Sequence, residues 1–392
     1  MGDQEPVVRS HRFGQYLRRI REDRKLSLDA VEELTLGYPG RVTKSHLSRI
    51  ENGQAEPTFP RMFALSQIYG VPISMLAEKF EIDLMRHRLP GDLDDVPDEE
   101  IRKRADDLSR SGRNDESLLL VELLIERHGR TADSAADPGL LHGLELERVN
   151  RLIQLARYGS AKDRCERLVN RTDISRKDRA LSLYYLAVCC LRLDRLQFAI
   201  DFADAARDEI AETEGTQRVA ASLENLRGNV LLASGRPDEA QAAYRQAMAL
   251  FEALGNPWET CRARLNFAAA TLEVGDPDVA RAELTEVIRQ SETAGYDRYV
   301  ALGLSHLGLI DYRSGAFDAA ESCWIRSNAI ARSREYIAVV FRNCYYLRQI
   351  ARVRDDDAAC RSHERTMRSL LGRVDRTLAE VQAFKAELGG MA

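Results

Sequence analysis

An all-α chain is predicted: a small five-helix domain followed by a long stack of helix pairs. Three observations carry this. Apolar residues recur at helical spacing along the chain, and no segment shows the strict alternation of a strand. Turn residues recur at a fixed interval: Gly235, Gly275 and Gly315 are 40 residues apart, Asp355 lies another 40 on, and Asp194 lies 41 before Gly235. Small residues keep step with these breaks. Ala199, Ala240, Ala280 and Ala320 each follow a break by five residues, and Ala187, Gly228, Ala268 and Gly308 each precede one by seven. With 392 residues, the chain exceeds one ordinary core.

The first helix is read from "FGQYLRRIREDR", where Phe13, Leu17 and Ile20 form one apolar stripe. Ser27 is the expected N-cap of the second, with Leu28, Val31 and Leu34 inward. A connection, "LGYPGR" (Leu36 to Arg41), follows. Thr43 is the expected N-cap of the third helix, "KSHLSRIE", which turns Leu47 and Ile50 inward. Asn52 and Gly53 end it, both tolerating a left-handed backbone. "TFPRMFALSQIYG" and "PISMLAEKF" supply two more helices, so residues 1–85 read as one compact domain. Residues 86–100 read as a linker, with two prolines, a glycine and a run of acidic residues between Leu89 and Glu100.

Residues 101–392 carry the periodic pattern. An earlier echo, "SGRNDES", is centred near Gly112. Two antiparallel helices approach closely only where both present small residues, and a glycine between them lets the chain reverse. Large residues such as Tyr244 and Trp324 then fill the gap to the neighbouring pair. No pair can bury its own apolar face alone, so the pairs stack into a solenoid.

Composition bounds the function. No apolar run is long enough to span a bilayer, and "MGDQEPVVRSHRFG" lacks the apolar stretch of a secretory signal, so a cytoplasmic protein is expected, without a membrane partner. The seven cysteines form no C-x-x-C pair and read as buried reduced thiols; no metal site or cofactor is expected. Residues 1–80 hold 12 Lys and Arg against 10 Asp and Glu, although the whole chain has a net charge of −5. A mildly basic head on an acidic body suits a DNA reader attached to another module. An enzyme has little support, because P-loop, H-E-x-x-H and G-x-S-x-G motifs are absent.

"LSLDAVEEL…VTKSHLSRIENGQAEPT" and "IYGVPISML" resemble the helix-turn-helix of Xre-like, phage-repressor-type regulators. That resemblance makes the third helix the recognition helix, which enters the major groove of double-stranded DNA. Lys44, Ser45 and Ser48 then face base edges from its first turns, with Arg49 one turn later. Thr43 and the amides at the helix start suit a phosphate; Lys25 and Asn52 are further phosphate candidates, and His46 reads either as a flank residue touching phosphate or as a solvent-facing bystander. The connection is longer than the three or four residues usual in this family. It reads as a solvated bulge or as a means of bringing Tyr38 and Arg41 to a phosphate.

The repeats resemble the tetratricopeptide family, which implies a right-handed solenoid of about seven pairs with a groove lined by the first helices. The period departs from that family's ~34 residues, so longer helices are expected. Groove positions are Tyr184, Asn225, Asn229, Arg262, Arg342, Tyr345 and Gln349, joined by Asn266 and His306. Amide and guanidinium side chains there suit a short peptide or protein segment. The overall plan resembles the peptide-sensing RRNPP regulators, which implies quorum sensing, a homodimer and an operator with paired half-sites. A second reading is a tetratricopeptide interaction scaffold whose head docks a protein instead of DNA.

Overall fold

The structure, a computed structural model, describes residues 11–85, 93, 96–129, 138–211, 213, 215–375 and 378–389. Two compact units meet in sequence at Glu100.

In the first unit the helices are α1 (His11–Asp23), α2 (Leu28–Leu34), α3 (Lys44–Glu51), α4 (Phe59–Tyr69) and α5 (Ile73–Met85), with a 3-10 turn at Thr35–Gly37. Phe13, Leu17, Val31, Val42, Leu47, Ile50, Leu65, Tyr69 and Leu76 form one core. Each large apolar side chain buried there contributes about 1.5–3 kcal/mol. Ser27 caps α2 by accepting from the Ala30 amide at 3.0 Å, as its sequence position suggests. The start of α1 is capped from a distance: Asp83 on α5 accepts from the amides of Phe13 at 2.9 Å and Arg12 at 3.1 Å. Leu34 departs from expectation and stays 50% exposed, while Thr35 is fully buried. The tighter winding of the 3-10 turn rotates the chain so that Thr35 takes the inward place.

Part of the predicted linker, residues 86–92 and 94–95, lies outside the described residues. Its last three residues are helical, because Asp98, Glu99 and Glu100 form the acidic first turn of the next helix. Carboxylates are favourable at that end of a helix dipole.

The second unit is built of pairs: α6 (Asp98–Arg110) with α7 (Asn114–Gly129), α8 (Pro138–Gln154) with α9 (Tyr158–Val169), α10 (Arg176–Arg192) with α11 (Leu196–Ile210), and α12 (Gln217–Ala233) with α13 (Pro237–Ala253). There follow α14 (Pro257–Val274) with α15 (Pro277–Ala294), α16 (Asp297–Arg313) with α17 (Phe317–Ser333), α18 (Ile337–Val353) with α19 (Asp357–Leu370), and a last single helix, α20 (Ala379–Gly389). Among the described residues there is no strand, and no helix is long and apolar enough to cross a membrane. From α8 onward the first helices of successive pairs pack on one another, α8 on α10 through to α18 on α20, and so form the inner wall of the solenoid.

The sequence period has a backbone cause. Asp194, Gly235, Gly275, Gly315 and Asp355 all have positive φ, between 54° and 94°, and so does Gly112 at 85°. This left-handed residue stops one helix and reverses the chain into the next, and glycine adopts it without strain. Ala199, Ala240, Ala280 and Ala320 have no solvent exposure. Gly308 meets the indole of Trp324: a methyl group there would lie 2.5 Å from Nε1. Gly228 faces the ring of Tyr244 in the same way. Both rings therefore lie first over the glycine of their own pair. Trp324 also stacks on Tyr346 of the next pair, with centroids 5.4 Å apart, and donates to the Ser305 carbonyl at 2.9 Å.

The solenoid also contacts itself across long sequence distances. The Tyr158 hydroxyl lies 3.2 Å from Asp375, Arg298 donates to Gln154 at 2.6 Å, and Gly112 abuts Tyr336. The first two pairs thus touch turns and helix ends of the later ones.

Replacing Gly308 by Ala should destabilise the solenoid by about 1–2 kcal/mol, because overpacking against Trp324 outweighs the gain in helix propensity. The urea midpoint of the variant, which should lie below that of the wild type, checks this.

Candidate functional site

Two contacts hold α3 from behind. Gly14 brings α1 against its end: a methyl group there would collide with the Ile50 carbonyl and lie 2.6 Å from that of Glu51. Arg21 donates from Nε to Glu51 Oε1 at 2.7 Å and from Nη2 to Oε2 at 2.9 Å. Both residues are buried, and this bidentate bond is the main cause that raises the Arg21 pKa. Thr43 caps the front, its hydroxyl accepting from the His46 amide at 3.3 Å with φ −75° and ψ 152°. At the rear Asn52 is the C-cap, and Gly53 has φ 66°.

On the outer face Thr43, Lys44, Ser45, Arg49 and Asn52 are exposed and Ser48 is half-buried. Lys25 is exposed at the turn between α1 and α2, with φ 54°. His46 is half-buried, and burial, with Arg61 and Arg49, lowers its pKa. Asn52 donates to the Ser48 carbonyl at 2.8 Å.

The helix start differs from the expected phosphate cradle. Glu32 on α2 accepts from the Lys44 amide at 2.8 Å and from Arg41 at 2.8 Å, and Asp29 accepts from the Lys44 ammonium at 2.8 Å. The hydrogen bond from the Lys44 amide, then the one from Arg41, holds the Glu32 carboxyl below its usual range. Arg41, 55% exposed, is thus paired with Glu32 at the surface of the head. Sequence reasoning missed Asp29 and Glu32, since acidic residues on a short helix read as solvated.

The "LGYPGR" connection is braced, not a loose bulge. The Thr35 hydroxyl accepts from the Val42 amide at 3.1 Å, and the Tyr38 ring meets Phe63 edge-on at 6.4 Å. Gly40 is buried against the Pro60 carbonyl, where a Cβ would collide. The insertion ties the front of α3 to the start of α4.

In the solenoid, Asn229, Arg262, Asn266, His306, Arg342, Tyr345 and Gln349 are half-buried on first helices. Tyr184 and Asn225 are buried instead, 7% and 2% exposed. The offset of ten residues before the break falls between neighbouring first helices in both pairs. Asn225 accepts from Asn266 at 3.1 Å, joining two pairs, and Asn229 accepts from the Tyr244 hydroxyl at 2.8 Å. Arg262 pairs with Glu259 at 2.7 Å, and Arg342 with Glu380 of α20 at 3.2 Å. Gln349 accepts from Arg352 at 3.4 Å, and Tyr345 lies edge-on to Tyr346 at 5.3 Å. Burial, then Arg342 and Arg313, pushes the pKa of His306 down to about 3. Among the described residues no cluster of His, Cys, Asp or Glu could hold a metal ion.

A braced helix with a polar outer face, joined in one chain to a stack of helix pairs, defines a helix-turn-helix domain carrying a tetratricopeptide solenoid. Comparison with known families agrees. Residues 12–78 match the helix-turn-helix domain, and residues 178–253 and 218–293 match the tetratricopeptide repeat. No curated protein matches the chain. Among solved structures, a Rap protein complexed with Competence and Sporulation Factor aligns over 98% of this chain and 96% of its own, with TM-score 0.52 and 13% identity. NprR in complex with its cognate peptide NprX aligns over 73% of this chain and 82% of its own, with TM-score 0.50 and 15% identity. PlcR of Bacillus thuringiensis, in complex with the peptide PapR7 and DNA, gives TM-score 0.45 and 13% identity, over 74% of this chain and 98% of its own. At these identities the first two likenesses show a shared fold. The architecture is similar to that of RRNPP regulators, as the sequence pattern suggests.

Two predictions follow from this geometry. Glu51→Ala strands the buried Arg21 and should lower the stability of the head by about 3–5 kcal/mol, read from its own transition in urea. His306 stays neutral in the folded protein down to about pH 3, whereas an unfolded histidine takes up its proton near pH 6.5. Its contribution is therefore intact above that pH and lost as pH falls toward about 3. Between pH 7 and 4 the melting temperature of His306→Asn should fall less than that of the wild type.

Proposed function

We propose that the chain is a sequence-specific DNA-binding regulator of transcription, whose repeat unit takes a peptide or protein segment in its groove and joins two copies. The observation that carries this reading is α3 itself. Its inner side is locked by Gly14, Arg21 and Glu51, while its outer side presents Lys44, Ser45 and Arg49. Rigid presentation of donors on an exposed helix is what reading base edges requires. The helix-turn-helix match covers these residues. The peptide part rests on the half-buried amides and guanidinium groups of the inner wall, with support from Rap and NprR, solved with Competence and Sporulation Factor and with a cognate peptide. The effector class is then a short signalling peptide, as in quorum sensing. Its differential affinity for two solenoid shapes would set the spacing of two heads in the cytoplasm.

A second reading, a head that docks protein, is favoured by one observation. Leu34, Leu36, Phe59 and Phe63 are 40–65% exposed on the head. Duplex binding separates the two. The full chain should select a motif with paired half-sites from random duplexes. Lys44→Ala with Arg49→Ala should weaken binding to that motif by about 2–4 kcal/mol, measured by gel shift at fixed salt. Intact binding by the double variant, or no selected motif, sinks the DNA reading.

A further inference from the structure

Lys44 is held twice at the exposed start of α3. Its amide donates to Glu32 and its ammonium to Asp29, both at 2.8 Å. Both carboxylates stand on α2, so two negative charges occupy the place where a backbone phosphate would otherwise approach the helix amides. Like charges oppose that approach and disfavour a phosphate at the Lys44 amide.

The exposed pair has the chemistry to meet a base edge. Side by side, the ammonium and the carboxylate present a donor next to an acceptor, with side chains 54% and 69% exposed. A G·C pair shows the complementary order in the major groove: guanine N7 and O6 accept, and the cytosine N4 amino group donates. Guanine O6 and cytosine N4 are themselves hydrogen-bonded partners, about 2.9 Å apart. The 2.8 Å separation of Lys44 Nζ and Asp29 Oδ2 matches that spacing. At an A·T pair the adenine amino group and the thymine O4 interchange donor and acceptor, so one orientation opposes ammonium to donor and carboxylate to acceptor. The other orientation keeps the acceptor–donor order, with thymine O4 toward the ammonium and the adenine amino group toward the carboxylate, but it offers the ammonium a methyl group where guanine offers the second acceptor, N7.

We propose that Asp29 and Lys44 act as one reading unit for a single G·C base pair in each half-site. Lys44 donates to the guanine, and Asp29 accepts from the amino group of the cytosine paired with it. This deepens the DNA-binding reading above and rests on it. Glu32, bonded to the Lys44 amide and to Arg41, sets where the unit points.

The test is selection from random duplexes by the full chain, as wild type, Asp29→Asn and Lys44→Met. Asparagine keeps the shape of Asp29 but can donate as well as accept, so it no longer rejects a thymine O4. The wild type should select a motif in which one position of each half-site is G·C. Asp29→Asn should lower the preference at that position by about tenfold and leave the other positions unchanged. Lys44→Met should lose the preference at the same position. Equal melting temperatures would show that the exposed substitutions leave the fold intact. A motif unaltered by Asp29→Asn, or variants that change different positions, overturns the reading unit while DNA binding stands. A chain that selects no motif overturns the DNA-binding reading, and this inference with it.

Discussion

The structure depends on backbone approach at positions without a side chain. In the head, Gly14 lets α1 lie against the end carbonyls of α3, and Gly40 lets the inserted connection lie on Pro60. In the solenoid, Gly228 and Gly308 make room for the rings of Tyr244 and Trp324. Protein interiors are close-packed, so these contacts leave no slack for an added carbon. The same constraint therefore sets the orientation of the exposed helix and the packing within the two repeat pairs.

Close approach brings polar groups into dry surroundings, and they are paired there. Arg21 with Glu51 secures the buried side of α3. In the solenoid, Asn343 accepts from Ser305 at 2.6 Å and donates to Ser327 at 2.9 Å and Asn328 at 3.0 Å, knitting α16, α17 and α18 together. At the inner wall, Asn266 is held by its bond to Asn225 at 3.1 Å. A groove of preorganised polar groups binds an extended segment with less loss of side-chain freedom.

Charge does a different job at the front of the head. Asp29 and Glu32 would be incidental on a solvated helix. Next to Lys44 and Arg41 they occupy the Lys44 amide, the Lys44 ammonium and the Arg41 guanidinium. The buried cysteines are chemically quiet: Cys165, Cys189 and Cys344 have thiol pKa values raised by burial.

Helices, caps and the repeat were legible in the sequence because local physics controls them. Ser27 and Thr43 cap by contacts three residues away, and Gly235, Gly275 and Gly315 recur because each stop needs a left-handed residue. Apolar spacing marked Phe13, Leu17, Leu47 and Ile50 as core, since a helix has one inward face. Tertiary structure alone decided the rest. The burial of Tyr184 and Asn225, Asp83 capping α1 and the Asp29–Lys44 pair all join residues that are near only in space. No periodicity along the chain encodes such pairs. They exist only once packing has fixed how the helices meet.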